Sequence, residues 1–212
     1  MNQSLRNQLI DTARQMNDCG LNQGTSGNLS VRCDGGMLIT PSGMEYEQLV
    51  AEDIVFMDLD GDAQGGRRPS SEWRFHAAIY ASRADADAVL HAHPLNCSSL
   101  ACMGKGIPPF HYMVAIAGGK DIRCAPYATF GGDELSGHVV SALKNRKACL
   151  MANHGLTCLD ADLSSVLALA VEVEHLAAVY CNILAMGDAN VLGDEEMAVV
   201  LDKFKTYGVQ PD

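Results

Sequence analysis

Apolar positions recur at helical spacing in three parts of the chain. Near the N-terminus the repeat consists of Leu5, Leu9, Ile10, Ala13 and Met16. Side chains three and four residues apart share one face of a helix, so this spacing predicts an amphipathic helix. The run "LSSVLALAVEVEHLAAVYCNILAMG" is longer and more apolar, and it predicts a long helix that covers a sheet. The segment "DEEMAVVLDKFKTYG" predicts a final helix.

Shorter apolar runs between turn residues predict strands. They are "LSVR", "GMLITPSG", "DIVFMDLDG", "DAVLHAH", "IRCAPYA" and "KACLMANHG". Two helical segments, "EWRFHAAIYAS" and "GDELSGHVVSALKN", lie among them, and the serines before the first are placed to cap it, with Glu72 in its first turn. Because helices and strands do not alternate regularly, we expect an α/β fold with a central, largely antiparallel sheet layered with helices. We expect residues 1–212 to form a single domain.

Composition narrows the class of function. The 212 residues are 48% hydrophobic and carry 15 basic against 26 acidic side chains, a net charge of −11. This charge repels nucleic acids and anionic membranes, and we expect neither as a partner. We expect no signal segment and no apolar span of 18 residues in this sequence. We therefore predict that the protein is cytoplasmic. The eight cysteines include no Cys-x-x-Cys pair and are predicted to be reduced core residues.

The stretch "AVLHAHPLN" places His91 and His93 two residues apart at the end of a predicted strand. Side chains at i and i+2 project from the same face of a strand, so both imidazoles could bind one ion. Two buried histidines with separate hydrogen-bond partners are the alternative. His154 in "MANHGL" also ends a buried strand, and three imidazoles with an open fourth position are typical of catalytic zinc. The remaining histidines are predicted to be surface or packing residues: His76, His111, His138 and His175.

Glu72 lies shortly before the strand that carries the histidine pair. A short connection can bring its carboxylate to the metal, where it would fill the open position at rest and accept a proton when substrate displaces it. The alternative is that Glu72 only complements the dipole of the helix that follows.

Three turns have the composition of an anion site. "GTSGN" (24–28), "TPSG" (40–43) and "PSS" (69–71) are rich in glycine, hydroxyl groups or free backbone N–H groups. Each alone is an ordinary turn sequence, but together they could bind a phosphate.

An ordered set of motifs resembles the class II aldolase family. It comprises "LNQGTSGNLSVR", "LITPSGMEYEQL", "PSSEWRFHAAIY", "HAH", "IPPFHYMVAIAGG", "CAPYATFG", "ALKNRKACLMANHGL" and "VVLDKFKTYG". The resemblance implies a three-layer α/β/α fold, one Zn²⁺ per subunit and a homotetramer with active sites between subunits. The implied metal ligands are Glu72, His91, His93 and His154, and the implied phosphate residues are Gly27, Asn28, Ser42, Gly43, Ser70 and Ser71. Glu72 would also be the acid/base, Tyr112 a proton donor to a neighbouring subunit, and Tyr207 a residue that handles the aldehyde half.

The implied activity is that of a lyase acting on a ketose 1-phosphate to give dihydroxyacetone phosphate and an aldehyde. L-fuculose 1-phosphate, giving L-lactaldehyde, is the favoured substrate. The chain has "HAHP" where the family member that cleaves L-fuculose 1-phosphate has "HNHA", so 5-deoxyribulose 1-phosphate and methylthioribulose 1-phosphate stay open, with acetaldehyde or a methylthio-aldehyde as product. A pentulose-phosphate 4-epimerase and a non-catalytic binding module are further alternatives.

Overall fold

The computed structural model describes residues 3–206, in which eight strands form one sheet. The strands are β1 (Asn28–Cys33), β2 (Gly36–Ile39), β3 (Val55–Met57), β4 (Ala63–Gln64), β5 (Ala88–Ala92), β6 (Arg123–Ala125), β7 (Ala148–Met151) and β8 (Gly155–Asp160). The helices are α1 (Gln3–Asp18), α2 (Trp73–Ser82), α3 (Leu95–Cys102), α4 (Asp133–Ala142), α5 (Leu163–Met186) and α6 (Asp194–Phe204). Short 3₁₀ helices lie at Tyr46–Gln48, Ala51–Asp53 and Tyr112–Ala117.

The sheet has the strand order β4-β3-β2-β1-β5-β8-β7-β6. Every neighbouring pair is antiparallel except β6 and β7. The predicted central, largely antiparallel sheet is therefore confirmed. β5 lies near the middle of the sheet, between β1 and β8, so both faces of this strand are buried.

Helices cover both faces of the sheet, which confirms the three-layer α/β/α fold. Side chains of α1, α3 and α5 share one core with residues such as Leu90 of β5. Side chains of α2 and α4 share the other core with residues such as Val89. Because successive strand residues face opposite sides, His91 points toward α2, where its ring meets Phe75 edge-on at 5.5 Å.

The long helix α5 overturns one expectation from composition. An 18-residue window within Leu163–Met186 has a mean hydropathy of 1.5, so the helix is long and apolar enough to cross a membrane. The expectation that no such apolar span exists is therefore wrong. The helix contacts β5, β8 and α3, and its inward stripe, which includes Leu169 and Val173, is buried in the core. This packing matches the predicted helix that covers the sheet.

The elements that were not predicted include α3, β4 and β8, and one helix begins later than predicted. α3 follows the histidine pair, and its first N–H groups, those of Asn96 and Cys97, donate to the carboxylate of Glu174 on α5. A cap supplied from a distant helix leaves no local signal. β8 follows β7 after a tight turn. The second helix begins at Trp73, so Glu72 is its capping residue instead of part of the first turn. All eight cysteines are free as predicted, although Cys19 and Cys102 are exposed.

Candidate functional site

Three histidines converge where β5 meets the turn between β7 and β8. His91 is the fourth residue of β5 and is fully buried, while His93 follows the end of that strand. Their Nε2 atoms lie 2.9 Å apart. The ring centroid of His154 lies 4.7 Å from that of His91 and 5.0 Å from that of His93. One ring nitrogen from each of the three lies within 4.8 Å of the others, a spacing that can hold a metal ion.

The turn that carries His154 approaches β5 closely. Asn153 has a φ of 53°, in the left-handed region, and its N–H donates to the carbonyl of Ala101 on α3. Gly155 then begins β8 beside the end of β5. A Cβ at Gly155 would lie 2.4 Å from the carbonyl oxygen of Ala92 and 2.7 Å from Cδ2 of His93. Only glycine allows this approach, which brings His154 next to the histidine pair.

A hydrogen bond orients the ring of His91, and burial favours neutral rings at His93 and His154. His91 Nδ1 lies 2.9 Å from the carbonyl oxygen of Leu156, and because a carbonyl only accepts, Nδ1 carries the hydrogen. Nε2 is then the nitrogen that faces His93 and the carboxylate of Glu72. Burial, reinforced by the nearby His91, lowers the pKa of His93 and of His154 to about 4. Neutral imidazole is the form that binds metals.

Glu72 completes the group from the start of α2. Its Oε2 lies 3.1 Å from Nε2 of His91 and accepts a hydrogen bond from Asn28 Nδ2 at 3.0 Å. Its Oε1 lies 3.3 Å from Nε2 of His154 but is buried without a well-oriented hydrogen bond. Burial raises the pKa of Glu72, but His91, His154 and the Asn28 hydrogen bond outweigh it and hold the pKa below its usual range.

This set of side chains fits a divalent cation. Three imidazole nitrogens and one carboxylate are nitrogen and oxygen donors of the kind that zinc and similar cations take. The buried Oε1 of Glu72, which has no hydrogen-bond donor in good geometry, is the atom that a cation would satisfy.

A cleft of about 320 Å³ opens beside these residues. Glu72, His93 and His154 line it, whereas His91 lies behind them. All six residues implied for phosphate binding line the same cleft: Gly27, Asn28, Ser42, Gly43, Ser70 and Ser71. No Lys or Arg of residues 3–206 lines it. An anion there would be held by hydroxyl and N–H groups and not by a basic side chain.

Backbone hydrogen bonds bring the three turns together. Ser42 N donates to the carbonyl of Arg68, and Ser70 N donates to that of Thr40, which pairs the second turn with the third. The hydroxyl of Tyr46 donates to the carbonyl of Gly27 at 2.9 Å, which ties the first turn to the 3₁₀ helix that follows the second. Eleven residues separate the first turn from the second, and 25 separate the second from the third, so these contacts could not be read from local sequence.

Of the two tyrosines implied by the resemblance, the structure describes only Tyr112. Tyr112 begins a 3₁₀ helix, is 49% exposed, and does not line the cleft of its own chain. Its ring lies 6.5 Å from that of Phe204 on α6. Tyr207 lies outside the described residues.

Several cleft residues received no role from the sequence. Tyr127 and Phe130 line the cleft although 59% and 64% of their surfaces are exposed. Both belong to the motif "CAPYATFG", which carried the resemblance but no assigned chemistry. Thr25, Ser26 and Asn153 also line the cleft, and they flank residues that were assigned a role.

Comparisons with known proteins agree with this architecture. The family model for the Class II Aldolase and Adducin N-terminal domain matches residues 7–181. A protein of Escherichia coli O6:H1 named L-fuculose phosphate aldolase is 56% identical over 207 residues, which cover 97% of this chain and 96% of the relative. A protein of Rhodospirillum rubrum named 5-methylthioribulose-1-phosphate/5-deoxyribulose-1-phosphate aldolase is 53% identical over 205 residues, covering 97% of this chain and 93% of the relative.

A solved structure named L-fuculose 1-phosphate aldolase shares the fold with a TM-score of 0.93 at 40% identity, covering 97% of this chain and 98% of that one. The family model spans most of the chain, and the relatives align along nearly all of it. The metal-site geometry and the three-layer fold are consistent with that match. The chain therefore belongs to the family of class II aldolases and adducin N-terminal domains.

Proposed function

We propose that this protein is a zinc-dependent aldolase that reversibly cleaves L-fuculose 1-phosphate to dihydroxyacetone phosphate and L-lactaldehyde. The observation that carries the proposal is the position of the three histidines and Glu72 beside a cleft lined by all six phosphate residues. The name and 56% identity of the Escherichia coli relative support the choice of substrate. The ligands proposed for zinc are His91, His93, His154 and, at rest, Glu72.

The phosphate end of the substrate is held by the three turns. Backbone N–H groups near Gly27 and Gly43 and the hydroxyls of Ser42, Ser70 and Ser71 would donate to its oxygens. These contacts lie away from the bond that breaks, so their binding energy serves to orient the substrate at the metal ligands.

Cleavage breaks the bond between C3 and C4 of the ketose. The C4 hydroxyl loses its proton and becomes the aldehyde carbonyl, while the electron pair of the broken bond stays with the three-carbon fragment. When bound, zinc supplies Lewis-acid stabilisation of the negative charge on that fragment. A proton must then reach C3. The ionised Glu72 is suited to accept a proton and later return it. Tyr112 of a neighbouring subunit is proposed as the second proton-transfer group, and Tyr207 as a residue that handles the aldehyde half.

A second substrate class is favoured by a specific observation. The Rhodospirillum rubrum relative, at 53% identity, is named for 5-methylthioribulose 1-phosphate and 5-deoxyribulose 1-phosphate. Both compounds would present the same phosphate and ketose to the site and differ only in the aldehyde half.

We further propose a single-domain, cytoplasmic homotetramer with active sites between subunits. A solution mass of four times the 22.6 kDa of one chain would support the tetramer, and a monomer's mass would contradict it.

The test is release of dihydroxyacetone phosphate by zinc-loaded protein from L-fuculose 1-phosphate, 5-deoxyribulose 1-phosphate and methylthioribulose 1-phosphate, measured side by side. We expect the highest kcat/KM with L-fuculose 1-phosphate. A higher value with either other substrate would replace the proposed substrate but keep the aldolase. No release from any of the three would overturn the aldolase, and conversion of a pentulose 5-phosphate to its 4-epimer would then identify an epimerase.

A further inference from the structure

A hydrogen-bonded series of five buried polar side chains runs from the carboxylate of Glu72 into the core between β1 and α2. Each member is at most 6% exposed. In spatial order the series consists of Glu72, Asn28, His76, Ser30 and Tyr80. Asn28 and Ser30 lie two residues apart on β1, so their side chains share one face of the strand. His76 and Tyr80 lie four residues apart on α2, so their side chains share one face of the helix.

The directions of the first two hydrogen bonds in this series follow from its first member, Glu72. Asn28 Nδ2 donates to Oε2 of Glu72 at 3.0 Å, because an ionised carboxylate only accepts. The other end of the amide, Oδ1, therefore faces Nε2 of His76 at 2.5 Å. An amide oxygen also only accepts, so His76 carries a hydrogen on Nε2.

The remaining bonds continue the same direction. Nδ1 of His76 lies 2.7 Å from Oγ of Ser30, and Oγ lies 2.8 Å from the hydroxyl of Tyr80. A neutral His76 that donates from Nε2 must accept at Nδ1, so Ser30 donates to His76 and Tyr80 donates to Ser30. Burial, more than the charges nearby, lowers the pKa of His76 to about 3, which agrees with a neutral ring.

His76 therefore decides which end of the Asn28 amide meets Glu72. If the amide turned over, its oxygen would face the carboxylate oxygen and the hydrogen bond would become a repulsion. The pairing of Asn28 with His91 across β1 and β5 places the same amide next to a proposed metal ligand. Asn28 also lines the cleft, so its orientation affects both Glu72 and the proposed phosphate site.

We propose that His76 is a positioning residue for the reaction: its Nε2–H fixes the Asn28 amide with Nδ2 toward Glu72. This inference rests on the proposed function for its catalytic consequence. The hydrogen-bond direction itself is independent of the substrate.

The first experiment is nitrogen-15 NMR of histidine-labelled, metal-stripped wild-type protein, with the His76 signal assigned by its absence in His76→Gln. The expected result is a neutral ring protonated on Nε2 at pH 7. A ring protonated on Nδ1, or a doubly protonated ring, would overturn the proposal even if the enzyme proves inactive.

The second experiment compares kcat, KM and zinc affinity of His76→Leu and His76→Gln with wild type. Leu cannot donate to Asn28, and we expect a fall in kcat of about 10- to 100-fold, the range typical of lost outer partners of a metal site. Gln carries an N–H at a similar distance from the backbone and should recover kcat to within about 3-fold. His175→Leu, on the exposed face of α5, is the matched control and should equal wild type.

The outcomes separate the two proposals. If both His76 variants lose thermal stability but keep wild-type kcat per zinc-loaded enzyme, His76 is structural only and the inference fails. Equal loss of kcat in Leu and Gln variants would also contradict it. A wild type that releases dihydroxyacetone phosphate from no substrate would overturn the proposed function, and the NMR result would still test the role of His76.

Discussion

The Nε2 atoms of His91 and His93 lie 2.9 Å apart, although only His91 belongs to a strand. β5 ends at Ala92 and His93 follows it directly, so both rings still reach one point. The third ring, His154, arrives from the turn that begins the neighbouring strand β8. The proposed metal site is thus built at one end of two adjacent strands, where side chains are held by the sheet but still reach the cleft.

Glu72→Gln should separate binding from turnover. Gln has nearly the same shape but cannot accept and return a proton as the carboxylate does. General acid/base groups contribute roughly 10²- to 10⁴-fold, so we expect kcat to fall in that range while KM changes only a few-fold. Steady-state kinetics at saturating zinc provide the measurement. Glu172→Gln on α5 is the control for loss of one negative charge, and a kcat of Glu72→Gln within twofold of wild type would remove Glu72 from the acid/base role.

Ser71→Ala should weaken phosphate binding without disturbing the metal residues. Ser71 is exposed and lines the cleft, so the loss of its hydroxyl leaves the core intact. A hydrogen bond to a charged group contributes roughly 1.5–3 kcal/mol, which predicts a rise in KM of about tenfold or more. Zinc affinity and the melting temperature should stay unchanged. Ser164→Ala, at the exposed start of α5, is the control, and an unchanged KM in Ser71→Ala would exclude this hydroxyl from the phosphate site.

Gly155→Ala should push β8 away from the end of β5. The added methyl group would meet the carbonyl oxygen of Ala92 at 2.4 Å and the ring of His93 at 2.7 Å. Overpacking of this kind costs about 1–3 kcal/mol of unfolding free energy, and zinc affinity should fall as well. Gly137→Ala is the matched control, because nothing lies within 4 Å of a Cβ there, and Ala should stabilise the helix α4 by about 0.5–1 kcal/mol. Equal urea midpoints for the two variants would contradict the close approach.

The metal-stripped protein should lose stability as the pH falls below 6.5. Burial lowers the pKa of His76 from 6.5 to about 3, so below pH 6.5 the unfolded chain binds a proton that the folded chain does not. Stability is then fully present above pH 6.5 and decreases toward pH 3, by about 1 kcal/mol per pH unit in the middle of that range. His93 and His154, with pKa values of about 4, act in the same direction.

Urea unfolding at pH 7, 6 and 5 measures this dependence. The midpoint should fall at each step, and His76→Gln should show a smaller decrease than wild type. A midpoint that is constant or rises from pH 7 to pH 5 would mean that the buried histidines are not neutral in the folded protein.

The sequence predicted the long helices and the histidine pair because their signals are local. The apolar repeats of α1 and α5 and the i, i+2 spacing of His91 and His93 each occupy one continuous segment. The order of these segments also predicted a sheet layered with helices, and the family resemblance supplied the three-layer arrangement. The helices and the layered fold are confirmed, and the two imidazole rings lie close together, although His93 lies just past the end of β5.

Features that depend on distant contacts could not be predicted from local sequence. The proximity of His154 to the pair depends on β8 being the neighbour of β5, and the cap of α3 is supplied by Glu174 from α5. The hydrogen bond from Asn28 to Glu72 joins residues 44 apart. His76 was predicted to be a surface or packing residue, and it is fully buried, but its partners on β1 gave no signal in the sequence around it.

The most direct test of the proposed metal site is a titration of metal-stripped protein with zinc while dihydroxyacetone phosphate release from L-fuculose 1-phosphate is followed. We predict no release without metal, a rate that rises linearly with added zinc, and a break at one zinc per chain. His154→Ala should bind zinc over about 100-fold more weakly, because loss of a metal ligand costs more than loss of a residue that is hydrogen-bonded to a ligand. This variant should stay inactive at one zinc per chain. Full activity of the stripped protein, or of His154→Ala at one zinc per chain, would contradict the proposed metal site.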